Sequence, residues 1–526
     1  MMHNRIISGF LLSGLLLASG AAAQSAAQTL TFGLSGEPIS LDPSVTADGN
    51  SAYVQTQIYN SLLSFKPGTV ELQPDLAQRW TTSPDGLTWT FYLRQNVKFQ
   101  DGTPLNAEAV RFNFMRWWNP SFSFGAAKPF LGWKNNLGGY KGEDGSIVKD
   151  VRVKDPYAVE VVLNTPYPAL GSVLADAGLF GMASPAAIKK NPAQYGTPAG
   201  LAVGTGPFML KKWNSGVNVE LTKNPAYFRA GLPKSSNLTF RFVKEPSSRL
   251  NELLTGGVDI AAELLPDQLQ ALKANPKLTP VLRPALNLGY LGLNTSYKPL
   301  SDVRVRTAIA TALNKKAMVD AFWNGLGLTD GHLIPPPLAK NYAKSVTDYK
   351  YDPAAAKKLL TDAGYPNGFA LDLWYMPVSR PYFPTPKPIA EAMAADLSAI
   401  GIKVTLKTED WSAYLQDRQE GKFQAFMLGF VYVTDPDSAY TYLIAPGATT
   451  DINWNSPEAN TALESVRKQP SADKRLPLYQ KVDEIMFREA VRIPMVHSQL
   501  LVASGAGVKG WVPSPTGSEK LDTVEK

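Results

Sequence analysis

Ala370-Leu-Asp-Leu-Trp-Tyr-Met376, Lys403-Val-Thr-Leu-Lys-Thr-Glu409 and Gln424-Ala-Phe-Met-Leu-Gly-Phe430 are three strand-like runs separated by two helical patterns. Between the first two, Pro388 to Ile400 places Ile389, Met393, Leu397 and Ile400 on one helical face, and Gly401 supplies the stop. Between the second and third, Trp411 to Glu420 reads as a helix closed by Gly421. A β-α-β-α-β run of this kind predicts an α/β fold with a parallel sheet and right-handed crossovers. Small molecules bind such open sheets beyond the carboxyl ends of the strands. Three loops therefore reach one rim: Met376-Pro-Val-Ser-Arg-Pro-Tyr-Phe-Pro384, the corner Asp410-Trp411, and Phe430-Val-Tyr-Val-Thr-Asp-Pro-Asp437.

The first of these loops carries a single arginine, Arg380, between prolines. A guanidinium offers a rigid fork of donors that matches a carboxylate, and flanking prolines lower the entropy of holding it in place. With aromatic walls and carboxylates on the neighbouring loops, the rim has the inventory to hold a small zwitterion. Arg380 would take its carboxylate and an acid its amine.

Working outward, the helical style extends back to about Pro284. Val305, Ala308, Ile309, Ala312 and Leu313 share one face, and Asp352-Pro353 supplies a cap and a first-turn proline for the next helix. Before Leu282 the chain reads mainly as short strands and turns. Leu87-Thr-Trp-Thr-Phe-Tyr-Leu93 and Ala158-Val-Glu-Val-Val-Leu163 alternate, and Asn106 is placed to cap Ala107 to Trp117. Roughly 500 residues beyond the leader exceed what one core accommodates, so two or more domains are expected.

His3 and Arg5 precede a mostly apolar run from Ile6 to Leu17, and Ala21-Ala-Ala23 before Gln24 supplies small residues for cleavage. Residues 1–23 are read as an export signal and the mature chain as soluble in a periplasm-like space. The apolar run is shorter than the roughly 20 residues of a membrane span. The absence of cysteine excludes a Cys-linked lipid anchor, disulfides and thiol chemistry. The net charge of +7 is mild for this length, and no basic cluster interleaved with aromatics suggests a nucleic-acid groove.

No G-x-S-x-G, H-E-x-x-H or G-x-x-x-x-G-K-[ST] occurs, which argues against the common hydrolase and nucleotide-binding classes. Paired acids such as Asp435 and Asp437, on a loop beside proline, offer no acid/base geometry. His332 has only Asp330 close by in sequence and His497 no acidic neighbour, so both read as structural and no metal site is expected. Gly204-Thr-Gly-Pro-Phe208 reads as a tight turn, because Pro207 removes an N–H that a phosphate cradle would use.

Tyr59-Asn-Ser-Leu-Leu63, Pro74-Asp-Leu-Ala77, Val97-Lys-Phe-Gln-Asp-Gly-Thr103 with Ala107-Glu-Ala-Val110, and Gly204-Thr-Gly-Pro-Phe208 resemble first-lobe motifs of the extracytoplasmic solute-binding proteins of peptide importers, family 5. Asn287-Leu-Gly-Tyr-Leu291 and Pro299-Leu-Ser-Asp-Val-Arg-Val-Arg306 through Ala312-Leu-Asn-Lys315 resemble the entry to the second lobe. Leu373-Trp-Tyr-Met-Pro-Val-Ser-Arg-Pro-Tyr382 is similar to the dipeptide-binding branch. The resemblance implies a two-lobe periplasmic-binding-protein-like fold of the large type II class with an extra subdomain in the first lobe. Residues 24–283 plus 500–526 would form the first lobe, with the subdomain at about 65–203, and 284–499 the second. It also implies capture of di- or oligopeptides by a monomer without catalysis or cofactor, hinge closure, and delivery to membrane permease subunits of an ABC importer. Another solute, such as an oligosaccharide, opine-like anion or metal chelate, is the alternative.

By the same resemblance Arg380 holds the ligand's terminal carboxylate, Trp411 packs beside ligand side chains and Tyr382 lies near the site. Backbone groups around Ser35 to Ile39 are expected to complete it from the first lobe. The family's peptide binders place an amine-binding aspartate three residues after a tryptophan. Here Phe430 stands for the tryptophan and Val433 for the aspartate, in a loop one residue shorter before Asp435-Pro436. Either Asp435 takes over the amine, which the retained Arg380 loop favours, or the ligand lacks a free amine.

Overall fold

Two mixed sheets organise the chain in a computed structural model that describes residues 28–45, 48–125, 130–431, 433–445 and 448–526. The expected leader, residues 1–23, lies outside them. In the first sheet the order is Leu278–Arg283, Leu500–Gly505, Ile260–Leu264, Thr29–Leu34, Asn237–Phe242, Asn218–Lys223 and Phe208–Asn214. Thr29–Leu34 runs parallel to both neighbours and buries Leu30, Phe32 and Leu34 completely. In the second the order is Gly327–Leu328, Arg492–Ser498, Asn287–Leu293, Ala425–Val431, Ala370–Trp374 and Lys403–Lys407.

The β-α-β-α-β reading holds for the last three strands. Ala370–Trp374 pairs in parallel with both Lys403–Lys407 and Ala425–Val431. The sheet as a whole is not parallel, however, because Asn287–Leu293 joins antiparallel to Ala425–Val431 and to Arg492–Ser498. All seven residues of Asn287–Leu293 are buried, as expected of a strand covered on both faces. The first connecting helix spans Pro386–Ala399, starting two residues before the expected Pro388 because Pro386 itself occupies the first turn. Ile389, Met393, Leu397 and Ile400 are buried to 1 % exposure or less, and Gly401 (φ 94°) ends the helix.

The other caps read from sequence also form. Asn106 accepts from the Ala109 amide at 2.9 Å and Asp352 from Ala355 at 2.9 Å. The alternating runs near Leu87 and Ala158 become the inner strands of a four-stranded antiparallel sheet, Thr88–Leu93 paired with Ala158–Leu163. Its aromatic core includes Phe91, Phe114, Trp117 and Trp133. Gly204 and Gly206 lie against the last turn of the helix Gly49–Ile58, where any Cβ would come within 2.5 Å of a carbonyl oxygen of Gln57 or Ile58. The tight-turn reading therefore has a steric cause.

The chain crosses between the two sheets twice. It leaves the first after Arg283, enters the second at Asn287, and returns through Gln499 between Ser498 and Leu500. The crossings are tied together: Asn287 donates its side-chain amide to Ser498 O (2.8 Å) and accepts from Ser498 N (2.9 Å). Among the described residues no helix is long and apolar enough to cross a membrane.

Candidate functional site

The loop after the central parallel strand is pinned at several points. Arg380 and Phe383 exchange backbone hydrogen bonds (3.0 and 2.9 Å), Ser379 Oγ donates to Pro384 O (2.8 Å), and Trp323 Nε1 donates to Pro381 O (3.3 Å). Tyr382 seats in the floor made where Gly289 faces Gly429 across paired strands. A Cβ at Gly429 would meet Leu288 O at 2.2 Å and the Tyr382 ring at 2.5 Å, and one at Gly289 would meet Tyr382 O at 2.8 Å. These glycines leave room for the ring.

Arg380 lies over the Trp411 ring at 5.3 Å, and Trp411 stacks on Tyr414 at 5.7 Å. Tyr414 is fully buried and donates to Met427 O (2.7 Å), so the column stands on the strand Ala425–Val431. The Tyr382 phenol is pushed up to about 12 by burial, partly offset by Arg380, which also hydrogen-bonds it. Among the described residues no acidic side chain forms an ion pair with Arg380. The buried Arg116, Arg283 and Arg492 each have one, from Asp42, Glu519 and Asp451 respectively.

Beside this group lies a cavity of ≈ 380 Å³ walled by residues from distant parts of the chain. Phe430, Val431, Val433, Thr434 and Tyr442 form one wall, at the end of the strand Ala425–Val431, with Phe430 edge-on to Tyr442 at 6.0 Å. Asp48, Tyr53, Gln55, Asn136 and Asp176 also line the cavity, together with Thr516 to Ser518 of the C-terminal segment. Asp48 caps the helix Gly49–Ile58 through Ser51 N (3.0 Å), and Asp176 caps Ala177–Phe180 through Gly178 N (2.9 Å). Burial raises the Asp176 carboxyl above the usual range. The Tyr167 hydroxyl donates to Asn136 O (3.3 Å) and also hydrogen-bonds Ser438.

Of the six residues read from sequence, Phe430 and Val433 line the cavity, while Arg380, Tyr382 and Trp411 form the adjoining group, linked to it through Tyr442 beside Tyr382. Asp435, like Arg380, Tyr382 and Trp411, is not among the lining residues. Its carboxylate accepts from Asp437 N (2.9 Å) as cap of the helix Pro436–Ile444. Burial and then the Asp437 charge hold that carboxyl at about 6, against the pull of Arg475 and Lys340. An aspartate preceding proline serves as a cap here. Ser35 to Ile39 also lie outside the lining; Ile39 N is taken by Ser51 Oγ (2.9 Å).

Asp48, Gln55, Asn136, Asp176 and Tyr442 were not foreseen. A capping aspartate is readable in Asp176-Ala-Gly, but its place opposite Val433 depends on lobe packing. His497 is also better supplied than its sequence neighbours suggest, with Asp330 Oδ1 at 3.2 Å from Nε2. His332 pairs with Asp483 (2.7 Å).

Residues 71–451 match the family model for bacterial extracellular solute-binding proteins, family 5 Middle. The chain is 32% identical to the dipeptide-binding protein of Escherichia coli K12, covering 98% of each. It is 30% identical to heme-binding protein A of Haemophilus influenzae, covering 94% of this chain and 92% of that one. The structure of HbpA2 from Haemophilus parasuis superposes with a TM-score of 0.87 at 31% identity, over 94% of this chain and 99% of its own. The chain belongs to the bacterial extracellular solute-binding proteins of family 5.

Proposed function

We propose that the protein is the periplasmic solute-binding component of an ABC importer, capturing di- or oligopeptides between two hinged lobes and delivering them to membrane permease subunits. It binds rather than transforms its solute and acts as a monomer. In this reading residues 24–283 with 500–526 are one lobe, 284–499 the other, and the crossings at 284–286 and Gln499 are the hinge. Arg380 takes the peptide carboxylate, Trp411 and Tyr382 hold the guanidinium in place, and Phe430 and Val433 contact a ligand side chain.

The observation that carries the reading is Arg380, held on a pinned loop and stacked on Trp411, with no acidic partner among the described residues. Likeness to a dipeptide-binding protein over 98% of the chain supports it. A haem presents carboxylates but no ammonium group, and the two aspartates of the cavity wall suit it less well than a peptide. The cavity also falls within the roughly 300–1,000 Å³ usual for small-molecule sites. Native mass spectrometry of freshly purified protein tests the assignment. A peptide adduct released on unfolding is expected; recovery of an oligosaccharide, opine or metal chelate would replace it.

A further inference from the structure

We propose that the interlobe cavity receives the cationic end of the solute, with the Asp176 carboxylate of the first lobe as its counter-ion. The inference rests on the peptide reading above and adds the group that selects a free amine. It starts from the asymmetry of the cavity walls. The second-lobe wall is apolar and aromatic at Phe430, Val431, Val433 and Tyr442, whereas the first-lobe wall carries two carboxylates, Asp48 and Asp176. Among the described residues no lysine, arginine or histidine lines the cavity.

A half-buried carboxylate in a cavity between lobes, without a cation within ion-pair distance among the described residues, is held at a desolvation cost that an incoming ammonium would relieve. Asp176 is also positioned before ligand arrives, because it already accepts from Gly178 N at the start of Ala177–Phe180. The ion pair would form across the gap from Val433. A zwitterion would then bridge the lobes, its carboxylate on Arg380 of the second and its ammonium on Asp176 of the first. Closure would be coupled to the presence of both charges on one molecule.

Calorimetry with the dipeptide Ala-Phe and with N-acetyl-Ala-Phe tests this on the mature chain. Wild type is expected to bind Ala-Phe at least tenfold more tightly than its acetylated form. Asp176→Asn, which keeps a side-chain oxygen for the helix cap, is expected to lose at least tenfold on Ala-Phe and little on the acetylated peptide. Retained binding of the acetylated peptide reports that Asp176→Asn is folded, and Asp176→Glu, which keeps both the charge and an oxygen for the cap, is expected to restore the preference for Ala-Phe, so the test does not depend on one variant folding. Equal binding of the two peptides by wild type, or an unchanged preference in Asp176→Asn, overturns the inference while leaving the peptide reading intact. Binding of neither peptide overturns both.

Discussion

Backbone hydrogen bonds fix the loop at Arg380, and paired glycines seat Tyr382 two residues on. Arg380 and its neighbours were legible as types: an arginine between prolines, a tryptophan at the next strand end, a phenylalanine closing the third. Asp435 caps the helix Pro436–Ile444, and a capping aspartate and a ligand-facing one look alike in sequence before a proline. Gly429 gives a prediction at this scale. A Cβ there has no space between Leu288 O and the Tyr382 ring, so Gly429→Ala is expected to cost about 1–3 kcal/mol of stability and to weaken peptide binding by displacing Tyr382. Thermal unfolding followed by calorimetry checks it; an unchanged midpoint with unchanged affinity would show that Tyr382 is not seated there.

Elements were legible where the local signal is strong. The caps at Asn106 and Asp352, the stop at Gly401 and the three parallel strands follow from short-range patterns and formed close to their expected bounds. The antiparallel insertion of Asn287–Leu293 was not legible, because its partner Ala425–Val431 lies more than a hundred residues away and an all-apolar strand carries no sign of direction. The same separation hides the brace at the crossings. Asn287→Ala removes a buried amide from two backbone partners on Ser498 and is expected to cost about 1–3 kcal/mol. Chemical denaturation measures this directly, and a loss within error would mean that the crossings hold without the brace.

For the whole molecule, the α/β class and the family were readable from motifs spread along the chain. The cavity was not, since its walls meet only when both lobes are packed and Asp176 and Val433 are brought together from distant positions. Long-range packing also determines the response to pH. Burial of His497 disfavours its cation, but Asp330 and the Asn287 carbonyl at 2.7 Å outweigh it and raise its pKa above the usual value. A group whose folded pKa is raised stabilises fully below its unfolded pKa of about 6.5. That stabilisation fades as pH rises through the folded value. Stability is therefore expected to decline from mildly acidic to alkaline pH, with the His497 contribution absent in His497→Asn; parallel profiles for the two proteins would contradict it.

Each charge-assisted bond to a ligand carboxylate contributes about 1.5–3 kcal/mol, and a tenfold change in affinity is about 1.4 kcal/mol. Isothermal titration of the mature protein and of Arg380→Ala with one dipeptide therefore tests the central claim most directly. Saturable one-to-one binding by the native chain, weakened at least about tenfold in the variant, is the predicted result. Equal affinity in the two proteins, or no saturable binding by the native one, would contradict a peptide-binding site built on Arg380.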